Sequence, residues 1–322
     1  MSSTNNSIQI ATQVLLSESE SIKQAVARLD EGFSNAVTKI FQSKGRLVIT
    51  GIGKSAHIAS KIVATLNSTG TPAIFMHAAE AVHGDLGMVT KDDVVLCISK
   101  SGNSPEIKVL VPLLKRGGNV LIGMTGDKNS FLGKHSDYIM DCFIERESCP
   151  NNLAPTNSTI VQLALGDALA VALMNLRSFS AEDFAQFHPG GALGKKLLLS
   201  VKDILNKEAQ PKVEINAGVK EIIFEISNKR LGVTAVVDGN VIVGIITDGD
   251  IRRMLEKTMN LEGVTAQEIM TQSPKMIDSE ALVSEALNVL ESNQITQLVV
   301  MHDGAYQGII HLHDILKEGV VS

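Results

Sequence analysis

The sequence predicts an α/β protein: a doubly wound parallel sheet of flavodoxin-like type, followed by a tandem pair of small α+β repeats. Three observations predict it. Between residues 46 and 176, short apolar runs alternate with segments of helical period. Beyond about residue 200 the chain repeats itself with a period of roughly 64 residues. Hydrophobic residues make up 44% of the 322 positions, which supplies a buried core and excludes disorder over most of the chain.

Each element follows from its own pattern. In residues 10–42, Val14, Leu15, Ile22, Val26, Leu29, Phe33, Val37 and Ile40 recur at three- and four-residue steps and predict helix. Arg46–Thr50 reads as a short buried strand ended by Gly51-Ile52-Gly53, and Lys54–Leu66 as the helix after it. Thr71–Met76, Asp93–Ile98, Asn119–Met124 and Tyr138–Phe143 read as four further strands. Pro105–Lys115 is helical, with its proline suited to a first turn. Thr159–Leu176 is rich in Ala and Leu with little charge, so a long buried helix is expected. Strands alternating with helices imply a parallel sheet covered on both faces. Ligands of such sheets bind beyond the carboxyl ends of the strands. Gly51–Ser55 and Ser99–Glu106 lie at two such ends and are expected to face one crevice.

Residues 1–200 are read as the first domain, 201–262 as the first repeat and 263–322 as the second. Glu208-Ala209-Gln210-Pro211-Lys212 is a polar break near the junction. The segment Thr234–Val237 through Gly244–Ile251 recurs as Gln297–Val300 through Gly308–Ile315, and each copy reads helix, strand, turn, strand, helix. A unit that small buries its apolar face poorly alone, so the two copies are expected to pack together.

Composition excludes several classes. Net charge is -6, from 29 basic and 35 acidic residues, which gives no nucleic-acid footprint. With no tryptophan and 3% aromatics, a base-stacking surface is poorly supplied. Cys97, Cys142 and Cys149 form no CxxC pair, as expected for a reducing compartment. Met1–Gln9 is polar, without a signal-peptide pattern, and no apolar run approaches the roughly 18 residues of a membrane span. The expected location is the cytoplasm.

The Ser99–Glu106 run carries the first chemistry. Three hydroxyls, on Ser99, Ser101 and Ser104, alternate with other residues after a buried strand. Gly102 permits close backbone approach, and the Pro105 helix offers N-terminal amides to an anion. That is what a phosphate monoester needs, although an ordinary Ser/Gly turn with an N-cap accounts for the same residues. The Gly51-Ile52-Gly53-Lys54-Ser55 loop shifts the balance by adding a lysine and another hydroxyl, so Gly53 and Ser55 join Ser99, Ser101 and Ser104 as phosphate-binding candidates. Gly51-x-Gly53-x-x-Ala56 nearly matches a dinucleotide fingerprint, but Phe75-Met76-His77 stands where that motif wants an acid, which ranks a nicotinamide enzyme lower. Acid–base candidates are Glu106, His83, Glu147 and His188; each also has a plain structural explanation as a helix-start charge, a surface histidine or an ion-paired carboxylate. His77, His83 and Asp85 lack the spacing of a metal site.

Taken jointly, these motifs resemble a known family. The two glycine- and serine-rich loops resemble a sugar-isomerase (SIS) domain, and the repeat resembles paired cystathionine-beta-synthase (CBS) domains. His83–Met88, Leu153–Thr159 and His188–Gly194 are similar to loops of the D-arabinose-5-phosphate isomerase family. The resemblance covers essentially the whole chain and implies interconversion of D-ribulose 5-phosphate and D-arabinose 5-phosphate through an enediol, supplying Kdo for lipopolysaccharide or capsule. By that resemblance Lys54, Glu106, Glu147 and His188 match positions proposed for catalysis or substrate binding, with His83 a further histidine at the site. No cofactor is required, and neither is a metal. The CBS resemblance implies a nucleotide or CMP-Kdo effector read by Thr247 and Asp250 in the first copy, with only Asp314 retained in the second; a purely oligomerising module is the alternative. The family implies a homotetramer. The competing functions are another SIS-domain sugar-phosphate enzyme and a non-catalytic phosphosugar sensor, the latter expected to carry a DNA-binding helix that residues 1–45 do not offer.

Overall fold

The computed structural model describes residues 3–258 and 260–320. Its contacts divide the chain into two compact units between Phe187 and His188, so residues 188–200 group with the repeats rather than with the first domain.

The first unit opens with two helices, α1 (Ser3–Val26) and α2 (Glu31–Phe41), where the unbroken apolar period of residues 10–42 predicts one. The first ends in a turn closed by the Arg28 and Leu29 amides on the Ala25 and Val26 carbonyls, and Asp30 starts the second: its carboxylate accepts the Gly32 amide at 2.9 Å as an N-cap. There follow β1 (Leu47–Gly51), α3 (Lys54–Ser68), β2 (Ala73–His77), α4 (Ala78–Ala81), β3 (Val94–Ile98), α5 (Pro105–Gly117), β4 (Val120–Thr125), α6 (Phe131–His135), β5 (Tyr138–Asp141), α7 (Asn157–Arg177) and α8 (Ala181–Phe187). All five strands are parallel, in the order β2-β1-β3-β4-β5. This is the doubly wound flavodoxin-like order.

Alternation along each strand splits the core in two. Leu47, Ile49, Leu96 and Ile98 pack on one face with residues of α2, α3 and α7, while Val48, Val95 and Cys97 pack on the other with α4, α5 and α6. Burial on both faces is why these strands read as unbroken apolar runs. Among the described helices, α7 alone is long and apolar enough to cross a membrane by length and composition, its richest window having a mean hydropathy of 1.6. That corrects the expectation that no run comes near such a length. Here α7 is a core helix, with Val161, Leu165, Leu169 and Leu173 inside the first cluster. At Gly166 a Cβ would lie 2.3 Å from Ile62 Cδ1, so the Ile62 side chain of α3 packs into the space that glycine leaves on α7.

The second unit begins with α9 (Ala192–Leu198) and α10 (Val201–Ile204). Copy one then runs β6 (Lys212–Glu214), α11 (Val219–Lys229), β7 (Val233–Asp238), β8 (Val241–Thr247) and α12 (Asp248–Lys257). Next come α13 (Ala266–Ile269) and β9 (Thr271–Gln272), then copy two: β10 (Met276–Asp278), α14 (Val283–Ser292), β11 (Gln297–His302), β12 (Ala305–His311) and α15 (Leu312–Lys317). Val219 and Val283 start equivalent helices 64 residues apart, and the β-bulges after Val236 and Val300 share that offset. Ala235, Val237 and Ile242 of copy one cluster with Val299 of copy two, so the copies do pack together.

A second link was not legible in the repeat pattern. The short helix preceding each copy docks on the other one. Val201 of α10 donates its amide to Ala281 at 2.9 Å and lies in the core of copy two, whereas Ala266 of α13 bonds Ala217 at 2.9 Å and lies in the core of copy one. Val201→Ala removes two fully buried methyl groups from a core far along the chain. At ~0.8 kcal/mol per buried carbon it should cost roughly 1–2 kcal/mol, seen by calorimetry as earlier melting of the C-terminal unit; an unchanged melting profile would contradict the exchange.

Candidate active site

The strand order reverses between β1 and β3: the chain leaves β1 for β2 on one side, then returns to place β3 on the other. Gly51 and Ile98, the last residues of β1 and β3, are register partners. The two polar loops therefore start side by side at the switch point, where doubly wound sheets hold ligands.

The first loop is shaped by Gly53, whose φ of 58 and ψ of -130 give a backbone that a side chain would strain. It N-caps α3, so Lys54 is the first residue of that helix and is exposed, while Ser55 donates its hydroxyl to Gln162 Oε1 of α7 at 3.2 Å. The second loop turns at Gly102, with φ at 62 and space for no Cβ: one would fall 2.1 Å from Ser130 Oγ. Ser99 is buried, and its Oγ accepts the Gly102 amide at 3.1 Å, which makes it part of the turn. Ser101 is exposed, and its Oγ accepts the Asn103 amide at 3.3 Å, leaving its own proton to donate. Ser104 N-caps α5 without a side-chain cap bond, and its buried Oγ has no partner. Glu106 is the second residue of α5 and partly buried.

The loop is sewn to its neighbours on the far side. Gly126 donates to the Lys100 carbonyl at 3.0 Å, Leu132 to the Gly102 carbonyl at 2.9 Å and Phe131 to Asn103 Oδ1 at 2.9 Å. Besides Ser104 Oγ, the buried polar atoms without partners include Thr50 Oγ1 and His77 Nδ1, at the ends of β1 and β2, and Gln162 Nε2 beside Ser55. Buried polar groups normally have partners, so unsatisfied ones at the carboxyl ends of β1 and β2 and at the head of α5 suit a polyhydroxylated, charged ligand.

Glu147 lies at the head of α7, enclosed by donors. It is fully buried. Oε1 accepts Lys100 Nζ and Ser158 Oγ, both at 2.6 Å. Oε2 accepts the amides of Thr156 and Ser158 at 2.9 and 3.1 Å and Thr156 Oγ1 at 3.3 Å. Burial pushes its carboxyl up, but Lys100, the Ser158 hydroxyl and the two amides outweigh this and hold it at about 2. Its partner is Lys100, 47 residues away, and not the adjacent Arg146.

His83 is exposed in the loop between α4 and a single turn of 3-10 helix at Asp85–Met88. His188 is half-buried and is the first residue of the second unit, its carbonyl accepting the Gly191 amide at 3.0 Å. Within the first unit, the structure thus gathers Gly53, Lys54, Ser55, Ser99, Ser101, Ser104 and Glu106 on the two adjoining loops. Lys100, Gln162, Thr156 and Ser158 were missed as individual candidates. Lys100 stood inside the serine run, a cation among hydroxyls, and Thr156 and Ser158 inside the Leu153–Thr159 loop.

In the second unit, an open cleft of about 780 Å³ lies between the copies, lined by residues 230–232, 247–249 and Arg252 of copy one and by 294–297, His311, His313, Asp314 and Lys317 of copy two. Thr247 and Asp314 line it; Asp250 does not. Asp250 is buried, accepting the Thr247 amide at 2.8 Å and hydroxyl at 2.6 Å, and paired with Arg253. Asp248 is the copy-one carboxylate in the cleft.

A doubly wound sheet with a hydroxyl-rich anion cradle at its switch point, followed by paired repeats around a cleft, defines a phosphosugar-type SIS domain joined to tandem CBS domains. Family models agree: the SIS domain matches residues 39–172, and the CBS domain matches 201–257 and 266–320. Arabinose 5-phosphate isomerase KdsD of Pseudomonas aeruginosa is 45% identical over 324 residues, 100% of this chain and 99% of its own. The protein of the same name from Escherichia coli is 43% identical over 315 residues, 97% of this chain and 96% of its own. Among solved structures, an Escherichia coli protein in complex with arabinose 5-phosphate has 40% identity and a TM-score of 0.57, covering 59% of this chain and 100% of that one. The chain belongs to the arabinose 5-phosphate isomerase family.

The buried Glu147 carboxylate makes stability depend on pH. A carboxyl held at about 2, against an ordinary 4.5, stabilises the fold fully above pH 4.5 and loses that contribution as pH falls towards 2. Wild-type protein should therefore be more stable than Glu147→Gln at neutral pH, and the difference should shrink across that acid window. Thermal unfolding against pH checks this; a gap independent of pH would remove the buried anion from the account.

Proposed function

We propose that this chain is an aldose–ketose isomerase that interconverts D-ribulose 5-phosphate and D-arabinose 5-phosphate. The observation that carries the proposal is the cradle itself: the unpartnered Ser104 hydroxyl at the N-terminus of α5, with Glu106 one residue into that helix and Lys54 at the head of α3 across the switch point. The family relationship narrows the phosphate ester to a pentose. Gly53, Ser55, Ser101 and Ser104 supply amide and hydroxyl donors to the phosphate, as the two helix N-termini favour a dianion. Ser99 shapes the turn that presents them.

Moving a carbonyl between C1 and C2 requires a base to take a carbon-bound proton and return it to the neighbouring carbon through a cis-enediol. Glu106, His83 and His188 are the groups for ring opening and that transfer. The Lys54 ammonium stabilises the oxyanion as it develops. This route uses acid–base groups alone, so no redox cofactor or metal enters it. The product feeds Kdo synthesis for lipopolysaccharide or capsule. The three cysteines, all free, are compatible with the cytoplasm. Exposed apolar residues on α1, among them Ile8, Leu15 and Leu16, support self-association into the homotetramer.

A coupled assay over five- and six-carbon sugar phosphates decides among the candidates. Turnover of the ribulose–arabinose pair supports the proposal, a different pair indicates another SIS enzyme, and binding without turnover indicates a sensor. Glu106→Gln and His188→Ala should each lower kcat/KM by roughly 10²–10⁴, with loss of C2 hydrogen exchange with solvent. Undiminished turnover in both would sink the assignment.

The CBS cleft is proposed to take a phosphorylated effector, such as a nucleotide or CMP-Kdo. Arg230, Arg252, His311, His313 and Lys317 converge there against Asp248 and Asp314. Thr247 and Asp314 remain contacts; Asp250 supports Thr247 instead of reading the ligand. Calorimetry with AMP, ATP, CMP and CMP-Kdo should show binding that weakens in Arg252→Ala. No heat and no change in activity would leave the cleft with an oligomerising role only.

A further inference from the structure

We propose that Glu147 is a positioning residue that keeps one protonation state throughout turnover and acts through Lys100 on the phosphate cradle. The proposal rests on the isomerase reading for its kinetic consequences, but its geometric basis is independent of it.

A carboxylate that removes a proton from carbon needs a lone pair free to reach the substrate, at roughly 2.6–3.2 Å from its target, and an affinity for protons matched to the working pH. Glu147 meets neither condition. Its two oxygens carry about four lone-pair sites and accept from five donors: Lys100 Nζ, Ser158 Oγ, Thr156 Oγ1 and the amides of Thr156 and Ser158. Its side chain is only 1% exposed, although the residue borders a cavity beside α1. Every donor would lose a strong acceptor on protonation, which is the reason the proton is held off.

Its connections show what it does. Lys100 directly precedes Ser101, Gly102 and Ser104 and is clamped at both ends. Its carbonyl accepts from Gly126 at 3.0 Å and from Thr125 Oγ1 at 3.4 Å, while its ammonium, on a side chain 44% exposed, is fixed by Glu147 at 2.6 Å. The two amides on Oε2 belong to Thr156, the N-cap of α7, which makes no side-chain cap bond, and to Ser158 in its first turn. Glu147 therefore ties the cradle loop to the head of α7, the helix whose Gln162 meets Ser55 of the other loop. It sets the spacing of the two halves of the phosphate site and keeps a cation beside them.

The test uses the full chain with Lys100→Met, Lys100→Arg, Glu147→Gln and the Lys100→Met/Glu147→Gln double variant. Inorganic phosphate binding is measured by calorimetry, and kcat and KM on pentose 5-phosphates are measured against pH. A positioning role predicts about a tenfold rise in KM and in the phosphate Kd for Lys100→Met, with kcat changed far less. Glu147→Gln should match it, the double variant should be no worse than Glu147→Gln, Lys100→Arg should recover most of the loss, and the acid limb of the pH profile should not move. The proposal is overturned if Glu147→Gln lowers kcat by about a hundredfold or more with phosphate binding intact, the mark of a lost proton-transfer group. It is equally overturned if Lys100→Met binds phosphate as the wild type does. Should Glu147→Gln fail to fold, the half-exposed Lys100 pair of variants decides alone. Should the wild type fail to turn over the pentose phosphates, the isomerase reading falls, while the phosphate titration still decides the role of Lys100 and Glu147.

Discussion

A parallel sheet with both faces buried leaves polar chemistry only its strand ends. β1 and β3 have no exposed residue, and their apolar side chains pack into the two cores under the helices. Polar groups must therefore gather in the loops, and the reversal of strand order decides which loops. Because β1 sits between β2 and β3, its loop and the β3 loop emerge as neighbours with no crossing connection between them. Gly53, Lys54 and Ser55 come from one and Ser101, Ser104 and Glu106 from the other. The topology brings them together before any of them makes a contact.

Holding two such loops at a fixed distance is a separate problem, and a buried charge solves it. Removing a carboxylate from water costs several kcal/mol unless it is paired and fully bonded. Glu147 is both: a lysine, two hydroxyls and two amides surround it. The helix start that it caps belongs to α7, which is also tied to α1 through Asn157, whose Nδ2 donates to Ser17 and Ser21 oxygens at 2.8 and 2.9 Å. One anion thus fixes a loop, a helix terminus and, through that helix, the outer layer of the unit. A protonatable catalytic group at the same place would loosen all three each time it titrated.

What the sequence made legible follows this physics. The strands stood out because two-faced burial gives apolar runs, and the two loops because glycine, serine and proline interrupt them. The break between α1 and α2 was hidden, since the apolar period passes straight over the turn at residues 27–30 and only the Asp30 cap bond marks the new helix start. Glu147 was picked out as a residue, yet its partner was not, because Lys100 is distant in the chain and pairing of that kind has no periodic signature. The exchange of α10 and α13 between repeats was invisible for a similar reason: sequence order places each helix beside its own copy, and only burial of Val201 among residues of copy two shows otherwise. His188 was grouped with the first domain by motif, whereas its contacts place it in the second unit.

The repeats show how fold and recognition separate within one pattern. Thr247 and His311 stand at the same offset, each the N-cap of the last helix of its copy, and each is answered by an aspartate three residues on, Asp250 or Asp314. A capping box satisfies helix-end amides that would otherwise lack partners, so both aspartates are needed for the fold whatever the cleft holds. The positions between and beside them are free to differ, and they do. Asp248 and Gly249 in copy one become Leu312 and His313 in copy two, and the His311 and His313 rings stack 4.9 Å apart. The two-fold pattern of the backbone thus encloses a cleft whose two halves have different charge. A ligand placed there would have to be asymmetric in the same sense, which makes the diverged residues, and not the shared aspartates, the ones that set its identity.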